Sequence, residues 1–418
     1  MDHKISYKPT VIIHGGAGAI TRANLPPDLY HQYHTSLLKY LEQCQALLDR
    51  HGSALDVACH AVSLMEDDPL FNCGRGSVFT TSGTIEMEAS VMVASINDTG
   101  ILPGSIKRGA AVSLVKQTRH PILLAKELLV SPDKDSGLGG TGTMHCHLSG
   151  GQVEDWGFGR GLEQKPKDWF WTKRRWEEHR RGLSYSNTEK SFLHFDEQVL
   201  PSQGTVGAVC VDAAGNIAVA TSTGGLTNKL PGRIGDTPSI GAGFWAEAWS
   251  ETSSSMIYQP LHPMQALPTI ASLDRGLSDA RSLLTQMYRV TICGIELDAE
   301  PRLRRPTAKR MVVAMSGTGN GDSFLRTNAC RTAAARARFS AVPLSQAIDW
   351  VAGPDGELQR SASSRWGHSG EGQGGIIGIE VADDHVEVVF NFNCGGLWRA
   401  WYDNGKPKVM VFRSEYEI

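Results

Sequence analysis

The chain lacks a long apolar run, paired cysteines and an excess of either charge, and each absence removes a class of function. Met1 to Tyr7 is polar and charged, and the first apolar stretch, Val11-Ile12-Ile13, is far too short for a signal-peptide core or a membrane span. The expectation is a cytoplasmic protein with no membrane partner. The eight cysteines, at positions 44, 59, 73, 146, 210, 293, 330 and 394, form no Cys-x-x-Cys pair and follow no regular spacing. That pattern argues against a disulfide framework and for free thiols. His145-Cys146-His147 has metal-binding residue types, but no second ligand cluster accompanies it at zinc-like spacing. Lys and Arg number 41 against 44 Asp and Glu, a formal net charge of -3, so no general field draws nucleic acid or an anionic membrane to the chain.

What is present is ordinary globular composition, 41% hydrophobic and 20% charged over 418 residues. That length suits two or three average domains or one large layered α/β unit. A short β-branched run from Pro9 to His14 ends in Gly15-Gly16 and reads as a buried strand delivering a tight turn. Leu37, Leu38, Leu41, Cys44, Leu47 and Leu48 recur at helical spacing and predict an amphipathic helix over about 29–50. Ser53 with Asp56 forms a capping arrangement for a second helix, which passes through Met65 and ends near Asp68-Pro69. The block Val78 to Thr81, Ser82-Gly83 and Ile85 to Val93 reads as a hairpin around a glycine turn. From about 131 to 203 the chain is rich in charge, Gly and Trp, which predicts helix and exposed linker, with Lys173-Arg174-Arg175 on a solvated face.

From Thr205 the pattern turns to β. Val206 to Val211 and Ile217 to Ala220 flank the turn Ala213 to Asn216, and a second hairpin spans Ile376 to Phe392 around Asp383-Asp384. Strands bunched in two places, with helices at the ends of each half, suggest two sheets face to face with helices outside: a four-layer αββα sandwich of class α/β (α+β). Residues 250–308 hold several prolines and fit no strand pattern, so they are expected to be a surface insertion.

At the junction of polar linker and β hairpin stands Gly204-Thr205-Val206-Gly207, which taken alone is an ordinary strand start. Its continuation changes that reading. Thr221-Ser222-Thr223-Gly224-Gly225-Leu226-Thr227-Asn228-Lys229-Leu230-Pro231-Gly232-Arg233-Ile234-Gly235-Asp236 is followed by Gly241-Ala242-Gly243. Upstream lie His14-Gly15-Gly16-Ala17-Gly18-Ala19-Ile20 and Phe71-Asn72-Cys73-Gly74-Arg75-Gly76-Ser77-Val78-Phe79. Downstream lie Thr318-Gly319-Asn320-Gly321-Asp322 and Asn393-Cys394-Gly395-Gly396-Leu397-Trp398-Arg399-Ala400. In order and spacing the chain resembles the plant-type asparaginase/isoaspartyl-peptidase family of N-terminal-nucleophile (Ntn) hydrolases over most of its length, leaving out the linker before Gly204 and residues 250–308.

The resemblance implies one Ntn-hydrolase domain over 1–418 that cuts itself between Gly204 and Thr205, giving an α subunit of 1–204 and a β subunit of 205–418. Thr205 would then be the nucleophile, and its freed α-amine, titrating near roughly pH 8, the general base. Thr223 is placed beside Thr205 as hydrogen-bond partner and orienter. Arg233 and Asp236 complement an amino-acid head, Arg233 gripping the α-carboxylate and Asp236 accepting from the α-ammonium. Thr318 and Gly319 would supply an oxyanion hole, with Gly319 and Gly321 also holding substrate. Ser316-Gly317 offers a competing register, and counting back from Phe324-Leu325-Arg326 selects Thr318-Gly319. Asn72 is carried as a further site residue. The loop from Met65 to Arg75 resembles a cation-stabilised loop, in which backbone carbonyls of Met65, Glu66, Asp68, Phe71, Cys73 and Arg75 would hold a structural sodium ion. No other cofactor is implied. The expected partners are a small molecule, asparagine or a β-aspartyl dipeptide, and a second αβ unit in a homodimer.

Departures from the family pattern also count. Relatives typically read Glu-Leu-Asp-Ala and Met-Asp-Gly where this chain has Glu86-Met87-Glu88-Ala89 and Met92-Val93-Ala94, so the pocket shape is expected to differ. The Gly319 to Asp322 run is closer to the glycosylasparaginase branch, against which a Gly before Thr205 argues. Two other readings stand: a site-specific endopeptidase of the threonine aspartase type, and a non-catalytic binding protein on the same fold.

Overall fold

The computed structural model describes residues 7–97, 109–131, 145–186, 204–251 and 309–416. The β-branched run expected near the start is the centre of β1 (Thr10–Gly18), buried along its length. The first amphipathic pattern becomes α1 (Pro27–Asp49), whose Tyr33, Leu37, Leu41, Cys44 and Leu48 turn inward at helical spacing. Pro27 opens that helix where its missing N–H costs nothing. Helix α2 (Ala54–Asp67) starts as expected, with the Ser53 side chain accepting from Asp56 N at 3.1 Å.

Strands β1, β2 (Met87–Ser95), β3 (Gly109–Val115), β4 (His147–Ser149), β5 (Val206–Val211) and β6 (Asn216–Thr223) join β11 (Gly396–Asp403) and β12 (Lys406–Met410) in one sheet. Its order is β12-β11-β1-β5-β6-β2-β3-β4. A second sheet runs β10 (His385–Phe392), β9 (Gly374–Ala382), β8 (Lys309–Gly319) and β7 (Phe244–Glu251). Helix α3 (Pro121–Val130) joins α1 and α2 on the first sheet, and α4 (Gly151–Phe158) and α5 (Lys173–Ser186) follow it in the chain. Helices α6 (Gly321–Thr327), α7 (Ala329–Phe339), α8 (Leu344–Ala352) and α9 (Glu357–Ala362) come from the later half, and α7 and α8 cover the second sheet.

Alternation along the strands divides three cores. In β5, Val206, Ala208 and Cys210 face α1 and α2, whereas Val209 and Val211 face the other sheet. In β6, Ala218 and Ala220 face the helices, and Ile217 and Val219 face inward with Val312, Ala314, Ile377 and Ile379 of the second sheet. A third core lies between α7, α8 and the outer face of β8 and β9. The result is the expected four-layer sandwich, with the 376–392 hairpin realised as β9 and β10.

Two expectations are corrected. Val78 to Thr81 does not form a hairpin with the strand that follows: Thr80 makes one bridge, to Lys229, while β2 lies between β3 and β6. Arg175 is not on a solvated face. Its side chain is fully buried, donating from Nε to Gly76 O at 2.8 Å and pairing with Glu178 at 2.9 Å, whereas neighbouring Lys173 is 81% exposed. Of the insertion expected over 250–308, Ser250 and Glu251 instead end β7, and residues 252–308 lie outside those described. Among the described residues no helix is long and apolar enough to cross a membrane.

Candidate active site

The layer between the sheets changes character at one end. On β1 the inward position after Ile12 is His14, and on β8 the positions after Ala314 are Ser316 and Thr318. Register carries the change across the large sheet: Val209 pairs with Ile12 and Val219, while Gly207 pairs with His14 and Thr221. Ser90 and Glu88 of β2 stand opposite Thr221 and Thr223. A period of two thus continues an apolar stripe into hydroxyls and carboxylates, with Thr205 at the head of β5 on the same face.

A cavity at this end is lined by Gly204, Thr205, Thr223, Gly225, Leu226, Arg233, Asp236, Gly319 and Gly321, and its volume is about 30 Å³. The sequence-predicted residues therefore converge, Thr318 included, because it touches the same wall. A Cβ on Gly204 would lie 2.6 Å from Thr318 Oγ1 and 3.0 Å from Gly319 N. Only glycine lets the backbone approach those two donors so closely. Of the two registers, Ser316 Oγ bonds His14 Nε2 at 2.7 Å, while Thr318 Oγ1 accepts from Ala17 N at 3.1 Å beside Gly204. Burial pushes the His14 pKa down to about 3, so its ring is neutral at physiological pH.

Arg233 and Asp236 flank Gly321, where an added Cβ would sit 2.9 Å from Arg233 Nη2 and 2.5 Å from Asp236 Oδ1. Arg233 pairs with Asp322 Oδ2 at 2.9 Å, and Asp322 is 57% exposed, so this partner is held in water and is readily displaced. Asp236 is buried and its Oδ2 has no hydrogen-bond partner. Burial pushes its pKa up to about 7, against the opposing pull of Arg233. A buried carboxyl with one oxygen unpartnered, beside a guanidinium, has the chemistry to receive an ammonium and carboxylate pair.

Positioning comes from behind. Asn72 Nδ2 donates to Gly225 O at 2.8 Å, its Oδ1 accepts from Val78 N at 3.1 Å, and its carbonyl accepts from Gly224 N at 2.9 Å, which fixes the turn after Thr223. Glu88, one of the departures, accepts from Gly235 N at 3.0 Å between Arg233 and Asp236, and Glu86 accepts from Gly232 N at 2.8 Å. Burial raises the Glu88 pKa, opposed by Lys229 and the Gly235 N–H. In the loop from Met65 to Arg75, Glu66 Oε1 accepts from Ile122 N at 3.0 Å and from Ser222 Oγ at 2.6 Å, while its buried Oε2 is unpaired.

One expected contact is different. Thr223 lines the cavity, but its Oγ1 accepts from Gly225 N at 3.0 Å, and the hydroxyl that meets Thr205 Oγ1, at 2.8 Å, belongs to Thr237. The sequence carried no signal for Thr237 beyond its place after Asp236.

The sequence model of a family described as asparaginase matches residues 7–254. An isoaspartyl peptidase of Salmonella typhimurium is 31% identical over 410 residues, covering 97% of this chain and 99% of its own length. An isoaspartyl peptidase of Escherichia coli is 30% identical over 411 residues, covering 98% and 97%. The isoaspartyl peptidase/L-asparaginase of Homo sapiens is 35% identical over 240 residues, covering 57% of this chain and 68% of its own.

Proposed function

The chain belongs to the asparaginase family, and from that premise we propose that it is an Ntn hydrolase in which Thr205, released by self-cleavage, opens β-aspartyl peptide bonds and the side-chain amide of L-asparagine. The relatives that align along nearly its whole length are named isoaspartyl peptidases, which puts β-aspartyl dipeptides first.

Self-cleavage begins when Thr205 Oγ1 bonds to the Gly204 carbonyl carbon and the peptide nitrogen leaves with a proton as the α-amine. Water hydrolyses the resulting ester, giving chains 1–204 and 205–418. That amine, with an ordinary pKa of roughly 8, then takes the hydroxyl proton when Thr205 attacks substrate. The substrate's α-carboxylate displaces Asp322 from Arg233, and its α-ammonium gives Asp236 Oδ2 the partner it lacks. This leaves the β-carbonyl at Thr205, with the tetrahedral oxyanion turned to Thr318 Oγ1 and Gly319 N–H. Ammonia or an amino acid departs, and water releases aspartate from the acyl-enzyme. The observation that carries this reading is the single cavity in which scissile glycine, nucleophile, amino-acid receptor and oxyanion donors meet.

If the loop from Met65 to Arg75 holds a sodium ion, backbone carbonyls of Met65, Glu66, Asp68, Phe71, Cys73 and Arg75 would be its donors. At the same loop, buried Glu66 Oε2 has no hydrogen-bond partner. When bound, the ion supplies rigidity to the segment that holds Asn72.

Intact mass of wild type and Thr205→Ala, with assays on β-aspartyl-leucine and L-asparagine, tests the reading. Wild type is expected as two fragments divided at Gly204-Thr205 and active, and the variant as one inactive chain; the sizing profile of the same sample tests the pairing of αβ units. A wild type that stays whole yet hydrolyses substrate overturns the mechanism, and one that is cleaved but acts only on proteins favours an endopeptidase.

A further inference from the structure

The partner of the nucleophile in the intact chain is a hydroxyl to which the family pattern gave no role. Thr205 Oγ1 and Thr237 Oγ1 are 2.8 Å apart, both buried, and among the described residues this is the contact recorded for Thr237 Oγ1. The position of Thr237 is itself fixed. Its carbonyl accepts from Ser90 Oγ at 2.6 Å and from Thr221 Oγ1 at 3.4 Å, and those two hydroxyls bond each other at 2.6 Å across the β2–β6 pair. On its other side, Asp236 O accepts from Ser239 N and Gly243 N, closing the turn that carries both residues. Thr223, the expected orienter, is occupied with Gly225 N.

We propose that Thr237 orients Thr205 for self-cleavage. For the attack on Gly204, the Thr205 hydroxyl must turn a lone pair to the carbonyl carbon and its proton away from it. A Thr237 oxygen accepting that hydrogen bond holds the hydroxyl in this orientation, and the Oγ1 proton ends on the departing nitrogen of Thr205. No α-amine exists at this stage, so the hydroxyl does without a base of its own. Once the peptide bond is broken the amine supplies that base. The inference rests on Thr205 being the nucleophile, as proposed above.

The test follows the appearance of the two fragments with time in wild type, Thr237→Val and Thr237→Ser. Loss of one oriented hydrogen bond is expected to slow processing of Thr237→Val about tenfold. Thr237→Ser, which keeps the hydroxyl, is expected within about threefold of wild type. Processing of Thr237→Val at the wild-type rate overturns the proposal, and so does a serine variant as slow as valine, since that marks a packing role. A wild type that is never cut fails at the earlier premise, and is recognised because all three proteins then behave alike.

Discussion

At the scale of single residues, Asp236 sets affinity against stability. Its pKa rises from the ordinary 3.8 to about 7 because burial disfavours the charge and Oδ2 has no partner. The folded state therefore holds this proton where the unfolded chain has lost it. Between about pH 4 and pH 7 that difference removes stability as pH rises, by up to about 1.4 kcal/mol per pH unit. In the intact Thr205→Ala chain, the Tm of Asp236→Asn is expected to fall less between pH 4 and 7 than that of its parent; parallel slopes would refute the assignment. Function runs the other way. Below about pH 7 the neutral acid no longer attracts an ammonium, so kcat/KM of the processed enzyme should drop about tenfold per unit, and Asp236→Asn should lose about a hundredfold or more at neutral pH. Asp236, Arg233, Thr318 and Gly319 could be named from the sequence because each lies in a contiguous motif that carries the family resemblance. Thr237 was not, since what distinguishes it is a contact with Thr205, 32 positions away, that exists only once the β2–β6 pair and the 236–243 turn are in place.

Among the elements, the turn-rich segment from Asp68 to Ser77 shows what local reading does and does not give. Its motif marked it as functional, and Asn72 duly holds the turn after Thr223. What closes the segment was hidden. Arg175 of α5 reaches Gly76 O and, at 3.4 Å, Leu70 O, although its neighbours Lys173 and Arg174 make the stretch read as a wet helical face. Successive residues on a helix point about 100° apart, so one member of a basic triplet can be buried while another is solvated. The Val78–Thr81 strand failed for a different reason: alternation shows that a segment is half-buried, not which strand it meets, and β2 found β6 instead. If the carbonyls of this segment hold sodium, replacing sodium chloride by choline chloride at equal ionic strength should lower Tm. At ten times the dissociation constant the ion contributes about 1.4 kcal/mol, or about 2 °C for a chain of this size. An unchanged Tm would remove the ion from the account.

For the molecule as a whole, the sandwich was legible from strands bunched in two places, but the strand order, with β1 inserted between β11 and β5, arises from pairings across the chain's full length that no window of sequence contains. That closure has a functional consequence. Residues from both halves of the chain meet at Gly204, and the cavity they leave is about 30 Å³, room for about two water molecules. Aspartate is several times larger. In the uncut chain the backbone at Gly204 stands against Thr318 Oγ1 and Gly319 N, the two donors that substrate needs. Cleavage should therefore create the binding site as well as the nucleophile. Isothermal titration with L-aspartate, the product common to both substrate classes, is expected to give no measurable binding to intact Thr205→Ala and saturable binding to processed wild type. If the uncut chain binds aspartate with comparable affinity, the site is open before cleavage and self-processing serves only to make the amine.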